Sequence, residues 1–210
     1  MTTQVVRCGT LFDGTGADPV RDAVVAVDDG RVSAVGPAAT TAIPPGAEIV
    51  DLRDRFVMPG LIDAHSHISI VPGMGDQIGQ LRQAPVPQAL RATANIRRDL
   101  FAGTTTMRVM SEENFLDLDV RAAIDAGVIP GPRLLCGTRG ITASNGHGRA
   151  FSAFDGVDEI RRGVRENFQR GADHVKLFTT GGVSSAGRSD DDAGGALRHA
   201  VRRDGRRSRA

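Results

Sequence analysis

The sequence is poor in aromatic side chains and almost neutral in charge. It has no tryptophan and no tyrosine, and aromatic residues make up 4% of the chain. The chain therefore has few side chains on which nucleic-acid bases could stack. The formal net charge of the 210 residues is +1, which gives no overall attraction to nucleic acids or anionic membranes. We therefore expect neither a nucleic acid nor a membrane as a partner.

Cysteine and long apolar runs are also scarce. The two cysteines, Cys8 and Cys136, are far apart and form no CxxC motif, a pattern typical of reduced thiols. No run approaches the ~18 apolar residues of a membrane helix, and the N-terminal stretch has no apolar core long enough for a signal peptide. These absences predict a cytoplasmic protein.

Residues 1–56 have the pattern of short β-strands separated by turns. The stretch "DAVVAVDDGRVSAVG" predicts a hairpin, with alternating valines on both arms. Asp29 and Gly30 fall at its turn, and Asp-Gly accepts the positive backbone angles that a tight hairpin requires. The sequence therefore predicts a small all-β unit at the start of the chain.

From Val57 onward, strands alternate with helices. Apolar strands are predicted at "VMPGLIDAH", "TTTMRVM", "PRLLC" and "DHVKLFT". Three helices are predicted between them, at "APVPQALRATANIRRDLFAG", "DLDVRAAIDAG" and "DGVDEIRRGVRENFQRG", with Asp117 and Asp155 as N-caps of the last two. This alternation predicts an α/β fold with a parallel sheet, whose chemistry collects at the carboxyl ends of the strands.

Two of these helices have a predicted apolar face. On the first it consists of Leu90, Ala94, Ile96, Leu100 and Phe101, and on the third of Val157, Ile160, Val164 and Phe168.

Two histidines follow the first of these strands, in "PGLIDAHSHI". His65 and His67 are spaced i, i+2, which places both imidazoles on one face of a strand. Neutral imidazole is a good ligand for Zn²⁺ and similar ions, so the pair is a candidate metal site. Two polar residues where a strand meets a loop are the alternative interpretation.

A lysine interrupts the fourth apolar strand. Lys176 alternates with Val175 and Leu177, so it points to the opposite face of the sheet from them. Lysine is rarely buried without a partner, and desolvation shifts a buried amine towards its neutral form. A neutral amine reacts with CO₂ to give a carbamate, which can ligate metals; a lysine that reaches solvent from the strand end is the alternative.

These motifs together resemble the amidohydrolase superfamily. "VMPGLIDAHSHI", "GTTTMRVM", "GPRLLCGTRGITASNGHG" and "GADHVKLFTTGGV" occur in the family's order, and the nearest branch is the one with imidazolonepropionase-like and Xaa-Pro dipeptidase-like enzymes. The resemblance implies a small N-terminal β-sandwich segment, a (β/α)₈ TIM-type barrel and a binuclear divalent-metal centre, most often Zn²⁺. It implies hydrolysis of a C–N bond in a small amide or peptide-like substrate by a metal-activated water.

The resemblance also assigns roles to single residues. His65 and His67 match the HxH metal ligands, and Lys176 matches the carboxylated lysine that bridges the metals. His147 matches a loop position that contacts substrate, with an ordinary loop histidine as the alternative. Arg108, at the end of the second strand, could bind a substrate carboxylate or form a structural ion pair.

The family pattern is incomplete in this sequence. The 210 residues are fewer than the ~250 of a typical closed barrel, and only about the first four βα units are visible. We therefore expect three segments: a β-sandwich segment at 1–56, half of a barrel at 57–188, and a basic, disordered tail at 189–210. The expected protein is a truncated or frame-shifted amidohydrolase with little or no activity alone, and the alternative is a non-catalytic fragment that forms homo-oligomers. No catalytic base is assigned.

Overall fold

The structure divides into two compact units between Gly60 and Leu61. The computed structural model describes residues 3–74, 76–150 and 152–179. The predicted tail at 189–210 and the end of the predicted half-barrel lie outside these residues.

The first unit is a four-stranded mixed sheet with the strand order β3-β2-β1-β4. Its strands are β1 (Thr3–Leu11), β2 (Val20–Asp28), β3 (Arg31–Pro37) and β4 (Glu48–Val57). β1 pairs antiparallel with β2 and parallel with β4. The all-β prediction is therefore confirmed as one sheet, and the described residues contain no second layer of a sandwich.

The predicted hairpin joins β2 to β3. Val25 pairs with Val35, and Val27 pairs with Val32. At the turn, Asp29 has φ 48° and Gly30 has φ 75°. Both values lie in the left-handed region that a two-residue hairpin turn needs, which explains why Asp-Gly occurs there.

The second unit alternates strands and helices around a three-stranded parallel sheet with the order β5-β6-β7. Its elements are β5 (Leu61–Ser66), α1 (Gln77–Leu81), α2 (Pro85–Phe101), β6 (Thr104–Val109), α3 (Leu116–Asp125), β7 (Arg133–Cys136) and α4 (Val157–Arg170). The carboxyl ends of β5, β6 and β7 therefore lie at one edge of the sheet.

Two strand predictions need correction. The strand predicted from Val57 begins at Leu61, because Val57 ends β4 in the other unit. The fourth strand, predicted at 173–179, is reduced to a single parallel bridge between Leu177 and Ile141. Among the described residues, the half-barrel therefore has three regular strands and one bridged segment.

The main core lies between this sheet and its helices. Its buried members are Ile68, Ala92, Ile96, Met107, Val109, Leu116, Val120, Leu134 and Cys136. Ile68 follows β5, and the others come from β6, β7, α2 and α3, as expected where helices cover one face of a parallel sheet. Among the described residues, no helix is long and apolar enough to cross a membrane.

The apolar faces predicted for the helices are partly wrong. In α2 the buried residues are Gln88, Ala92 and Ile96, whereas Leu90 is 69% exposed and Phe101 is 72% exposed. Gln88 is buried because its side-chain amide donates to backbone carbonyls in and after α1, including that of Gln83 at 2.9 Å. A polar contact between helices therefore sets the register of α2.

The predicted face of α4 is only partly buried. Ile160 and Val164 pack against a second cluster around Ile141 and Phe154, as the pattern predicts. Phe168 is 51% exposed, and the buried positions of α4 are Gly163 and Asn167.

Both predicted N-caps are wrong. Asp117 lies inside the first turn of α3, and its carboxylate accepts from the backbone N–H of Thr138 at 2.8 Å. Asp155 precedes Gly156, which takes the N-cap position of α4, and its carboxylate accepts from the N–H of Ser144 at 2.8 Å. Both carboxylates accept from distant loops, and that of Asp117 also accepts from the N–H of Leu118 in the first turn of α3 at 3.1 Å.

Candidate metal centre

His65 and His67 lie on either side of Ser66, the last residue of β5. His65 is exposed and His67 is half-buried. The carboxylate of Asp63 accepts from the backbone N–H of His65 at 2.9 Å, which fixes the chain just before the pair. The two ring centroids are 5.9 Å apart, with 54° between the ring planes.

This separation fits two rings that share one ion. A Zn–N distance of about 2.1 Å places the ion about 3.2 Å from the ring centroid, so two ligating rings lie at most about 6.4 Å apart. In a tetrahedral arrangement the centroids would be about 5.2 Å apart. The observed 5.9 Å is between these values, so the separation of the ring centroids is compatible with one shared ion.

The ring of His67 is held in one tautomer. Its Nδ1 lies 3.0 Å from the carbonyl oxygen of Ser111. Because a carbonyl only accepts, Nδ1 carries the proton and Nε2 keeps the lone pair that ligates metals. Burial lowers the pKa of His67, and the charges of His65, Lys176 and His147 lower it further. The neutral, ligating form is therefore favoured.

Lys176 lies in the bridged segment, close enough to His67 to affect its pKa. Its backbone carbonyl accepts from the N–H of Ile141 at 2.8 Å. Its ammonium lies 4.9 Å from the ring centroid of Phe178. Burial lowers the pKa of Lys176, with a further contribution from the charge of Arg108. The half-buried amine is thus shifted towards the neutral form from which a carbamate would arise.

His147 also contacts the ring of Phe178. The His147 and Phe178 rings meet edge to face, with centroids 5.5 Å apart. Burial lowers the pKa of His147, followed by the charge of Lys176. Gly148 has φ 73°, and a Cβ there would lie 2.6 Å from the Phe178 ring, so only glycine fits this approach. Phe178 was not predicted from the sequence.

Arg108 lies on β6, on the opposite face of the sheet from buried Met107 and Val109. Its Nε–H donates to the carbonyl oxygen of Ala64 on β5 at 2.7 Å. The side chain is exposed and its charge acts on Lys176. The structure therefore gives Arg108 a backbone contact between strands and leaves its guanidinium at the surface.

The five predicted residues lie at the same edge of the sheet. His65, His67, His147 and Lys176 interact electrostatically, and Arg108 joins them through Lys176. Within the described residues, no group of three or more histidine, cysteine, aspartate or glutamate side chains could hold a metal ion. The donor set of two imidazoles and one lysine therefore stays a prediction.

A family model matches most of the chain. Residues 56–199, more than half of the chain, match the model described as the amidohydrolase family. The chain belongs to the amidohydrolase family.

Similar proteins agree with this assignment. This amidohydrolase is 26% identical to an ochratoxinase of Aspergillus niger over 211 residues, covering 86% of this chain and 43% of the relative. It is 29% identical to an amidohydrolase crystal structure, with a TM-score of 0.76, covering 88% of this chain and 48% of that one.

A third comparison supports the fold. A Xaa-Pro dipeptidase crystal structure with bound methionine is 24% identical, with a TM-score of 0.77, covering 97% of this chain and 55% of that one. The amidohydrolase chain therefore spans about half the length of the relatives that it matches.

The structure also adds residues that the sequence did not single out. The amidohydrolase chain has Ser111 and Glu112 directly after β6, and both are buried. Glu112 accepts from the N–H of Ser69 at 3.1 Å and from its hydroxyl. Burial raises the pKa of Glu112 to about 7, against the lowering effect of the Ser69 hydrogen bonds. The run of polar residues "SEE" after an apolar strand was the available signal.

A polar cavity lies beside the histidine pair. It has a volume of about 340 Å³, and its lining includes His65, His67, Asp63, Asn95 and Asp99. Burial raises the pKa of Asp99, and the charge of Asp63 raises it further. Both histidines are therefore accessible from a space large enough for a small polar molecule.

Proposed function

We propose that this amidohydrolase hydrolyses C–N bonds of small amide or dipeptide-like molecules, with a divalent metal held by His65 and His67. The observation that carries the proposal is the pair itself. The rings lie 5.9 Å apart, and His67 is fixed as the tautomer that keeps a lone pair on Nε2. Imidazole donors suit Zn²⁺.

Lys176 is proposed as the third donor, in its carboxylated form. Its lowered pKa increases the fraction of neutral amine, whose lone pair attacks the carbon of CO₂. A C–N bond forms as one C=O π bond of CO₂ opens, the nitrogen gives one proton to water, and the product is a carbamate with two oxygens. The half-buried position beside Phe178 would protect this group from bulk water.

The remaining chemistry divides between the ion and the chain. A bound Zn²⁺ supplies a Lewis acid for the carbonyl and a water whose pKa is lowered to about 7. The chain contributes orientation: Ser111 holds the tautomer of His67, and the Asp63 carboxylate fixes the backbone at His65.

Arg108 and His147 are proposed to contact substrate. The exposed guanidinium of Arg108 suits a carboxylate, such as the C-terminus of a dipeptide. The edge of His147 lies next to the Phe178 ring, a short apolar surface for a side chain. The similarity to an ochratoxinase and to a Xaa-Pro dipeptidase supports an amide or dipeptide-like substrate.

We propose that hydrolysis by this chain alone is slow, because two imidazoles and a lysine are half of a binuclear ligand set. We also propose that it acts in the cytoplasm, since Cys8 and Cys136 are both free and buried.

A second candidate function is association without catalysis. The face of the β5-β6-β7 sheet opposite the helices exposes apolar side chains, with Ile62 71% and Leu135 40% exposed. A homo-oligomer would cover this face. Size-exclusion chromatography distinguishes the two candidates: oligomers without bound metal favour association alone.

The catalytic proposal is tested by hydrolysis of a panel of N-acyl amino acids and Xaa-Pro dipeptides. Wild type, His67→Ala and the exposed control Arg97→Ala are assayed after loading with zinc and after chelation. We expect slow hydrolysis that requires zinc, disappears in His67→Ala and persists in Arg97→Ala. Equal rates in wild type and His67→Ala, or rates that survive chelation, would contradict the proposal.

A further inference from the structure

The loop that carries His67 is bound by three consecutive residues after β6. The N–H of Met110 donates to the carbonyl of Ser66 at 2.8 Å. The carbonyl of Ser111 accepts from His67 Nδ1 at 3.0 Å. The carboxylate of Glu112 then accepts from both the backbone N–H and the hydroxyl of Ser69. The segment after β5 and the segment after β6 therefore run side by side, and hydrogen bonds join them at Met110, Ser111 and Glu112.

Glu112 ties these loops to a third one. Its backbone N–H donates to the carbonyl of Thr138, just after β7, at 2.8 Å. Its side chain is fully buried, so water cannot replace the hydrogen bonds that its carboxylate accepts from Ser69. Burying a carboxyl group is costly, and an apolar residue would fill the same space at lower cost. The polar contacts with Ser69 are therefore the property that distinguishes Glu112 from a simple core residue.

On its other side, the loop that carries His67 is held by side chains of α2, which donate hydrogen bonds to backbone carbonyl groups of the loop. Arg91 Nε donates to the carbonyl of Ser69 at 2.6 Å, and Asn95 Nδ2 donates to the carbonyl of Ile68 at 2.9 Å. These two contacts restrain the loop towards the helix. Glu112 restrains it towards the segment that contains the His67 hydrogen-bond acceptor.

We propose that Glu112 is a positioning residue: by holding Ser69 against the segment after β6, it keeps the His67 ring on the Ser111 carbonyl and so fixes the Nδ1–H tautomer. The value of this tautomer to the protein rests on the proposed metal-binding function, but the positioning itself does not require a metal. Outer partners of this kind fix ring orientation and strengthen metal binding.

The two contacts with Ser69 allow a sharp choice of variants. In Glu112→Gln, the amide oxygen can accept from the Ser69 N–H while the amide nitrogen donates to its hydroxyl, so both contacts survive. In Glu112→Ala, both are lost. Glu113→Ala is the matched control, because Glu113 is the next residue, is also buried, and bonds to Ser152 in a different loop.

The readout is the imidazole nitrogen spectrum of the metal-free 210-residue chain, recorded by long-range proton–nitrogen NMR. Zinc affinity is measured separately by competition with a chelator, and folding is checked by circular dichroism. We expect a single Nδ1–H tautomer for His67 in wild type, Glu112→Gln and Glu113→Ala. We expect a tautomer mixture in Glu112→Ala, with zinc affinity about 10- to 100-fold weaker.

The outcomes separate the inference from the proposed function. A folded Glu112→Ala chain that keeps the Nδ1–H tautomer overturns the inference, as does an equal change in Glu113→Ala. Where Glu112→Ala does not fold, Ser69→Ala, which removes the hydroxyl contact alone, decides: a mixed tautomer supports the inference and an unchanged one overturns it. A tautomer change in a chain that binds no zinc supports positioning and refutes the metal-binding function.

Discussion

Replacing Glu112 by glutamine is expected to stabilise the metal-free chain much more at pH 8 than at pH 5. Burial raises the pKa of Glu112 from 4.5 to about 7, so the folded chain holds this proton more tightly than the unfolded chain. The associated stability is fully present below pH 4.5 and is lost as the pH rises through about 7. The gap between the two values corresponds to about 3 kcal/mol.

Glutamine keeps the shape of the side chain and does not ionise. The free energy of unfolding of Glu112→Gln relative to wild type should therefore rise from about 1 kcal/mol at pH 5 to about 3 kcal/mol at pH 8. The buried acid Asp117, whose pKa burial raises to about 6, also raises the pKa of Glu112 through its charge, so the measured difference includes this coupling.

The assay is urea unfolding followed by circular dichroism at pH 5, 6, 7 and 8. Asp119→Asn, at an exposed carboxylate, is the control for removal of one negative charge. We expect the control to follow wild type across the whole range. If the curves of wild type and Glu112→Gln stay parallel from pH 5 to pH 8, Glu112 does not titrate as its burial requires, and the reasoning is refuted.

Two further substitutions test the packing of the second unit by the same urea titration. Ile96→Ala should cost about 2–5 kcal/mol because Ile96 is fully buried, whereas Leu90→Ala, at an exposed position of the same helix, should cost less than about 0.5 kcal/mol; similar losses would show that α2 packs in another register. Gly137→Ala should lower the free energy of unfolding by about 1–3 kcal/mol, because the added Cβ would lie 2.8 Å from the carbonyl oxygen of Val109. An unchanged free energy of unfolding would mean that this backbone contact is looser.

The sequence predicted the hairpin and three of the four parallel strands, although the first of these begins at Leu61 and not at Val57, because such elements are encoded locally. The Asp29-Gly30 turn needs only two residues with positive φ, and both are next to each other in the chain. The short parallel strands appear as apolar runs with turns at their ends, which is also a local pattern.

The faces and caps of the helices could not be predicted, because they depend on distant contacts. Gln88 is buried by hydrogen bonds to carbonyls around α1, which no helical periodicity shows. Asp117 looks like a cap in the sequence but binds the N–H of Thr138, 21 positions away. The fourth strand failed similarly, since its single bridge at Leu177 depends on the position of Ile141.

The residues of the candidate site also divide into those that a local pattern identifies and those that depend on distant contacts. His65, His67 and Lys176 could be singled out as candidate ligands because spacing and apolar context mark them within short stretches, and their role stays a prediction. Their partners could not, since Ser111 meets His67 only when β5 and β6 pair, 44 positions apart in the chain. Phe178 likewise becomes relevant only when the loop with Gly148 folds against it.

The most direct test of the account is zinc binding by the histidine pair. Purified wild type, His65→Ala, His67→Ala and Arg97→Ala are dialysed against a zinc buffer, and bound zinc is measured by elemental analysis with circular dichroism as the folding check. We expect bound zinc in wild type and in Arg97→Ala. Each folded histidine variant should bind zinc at least about tenfold more weakly. Equal zinc in all four chains, or none in wild type, would contradict it.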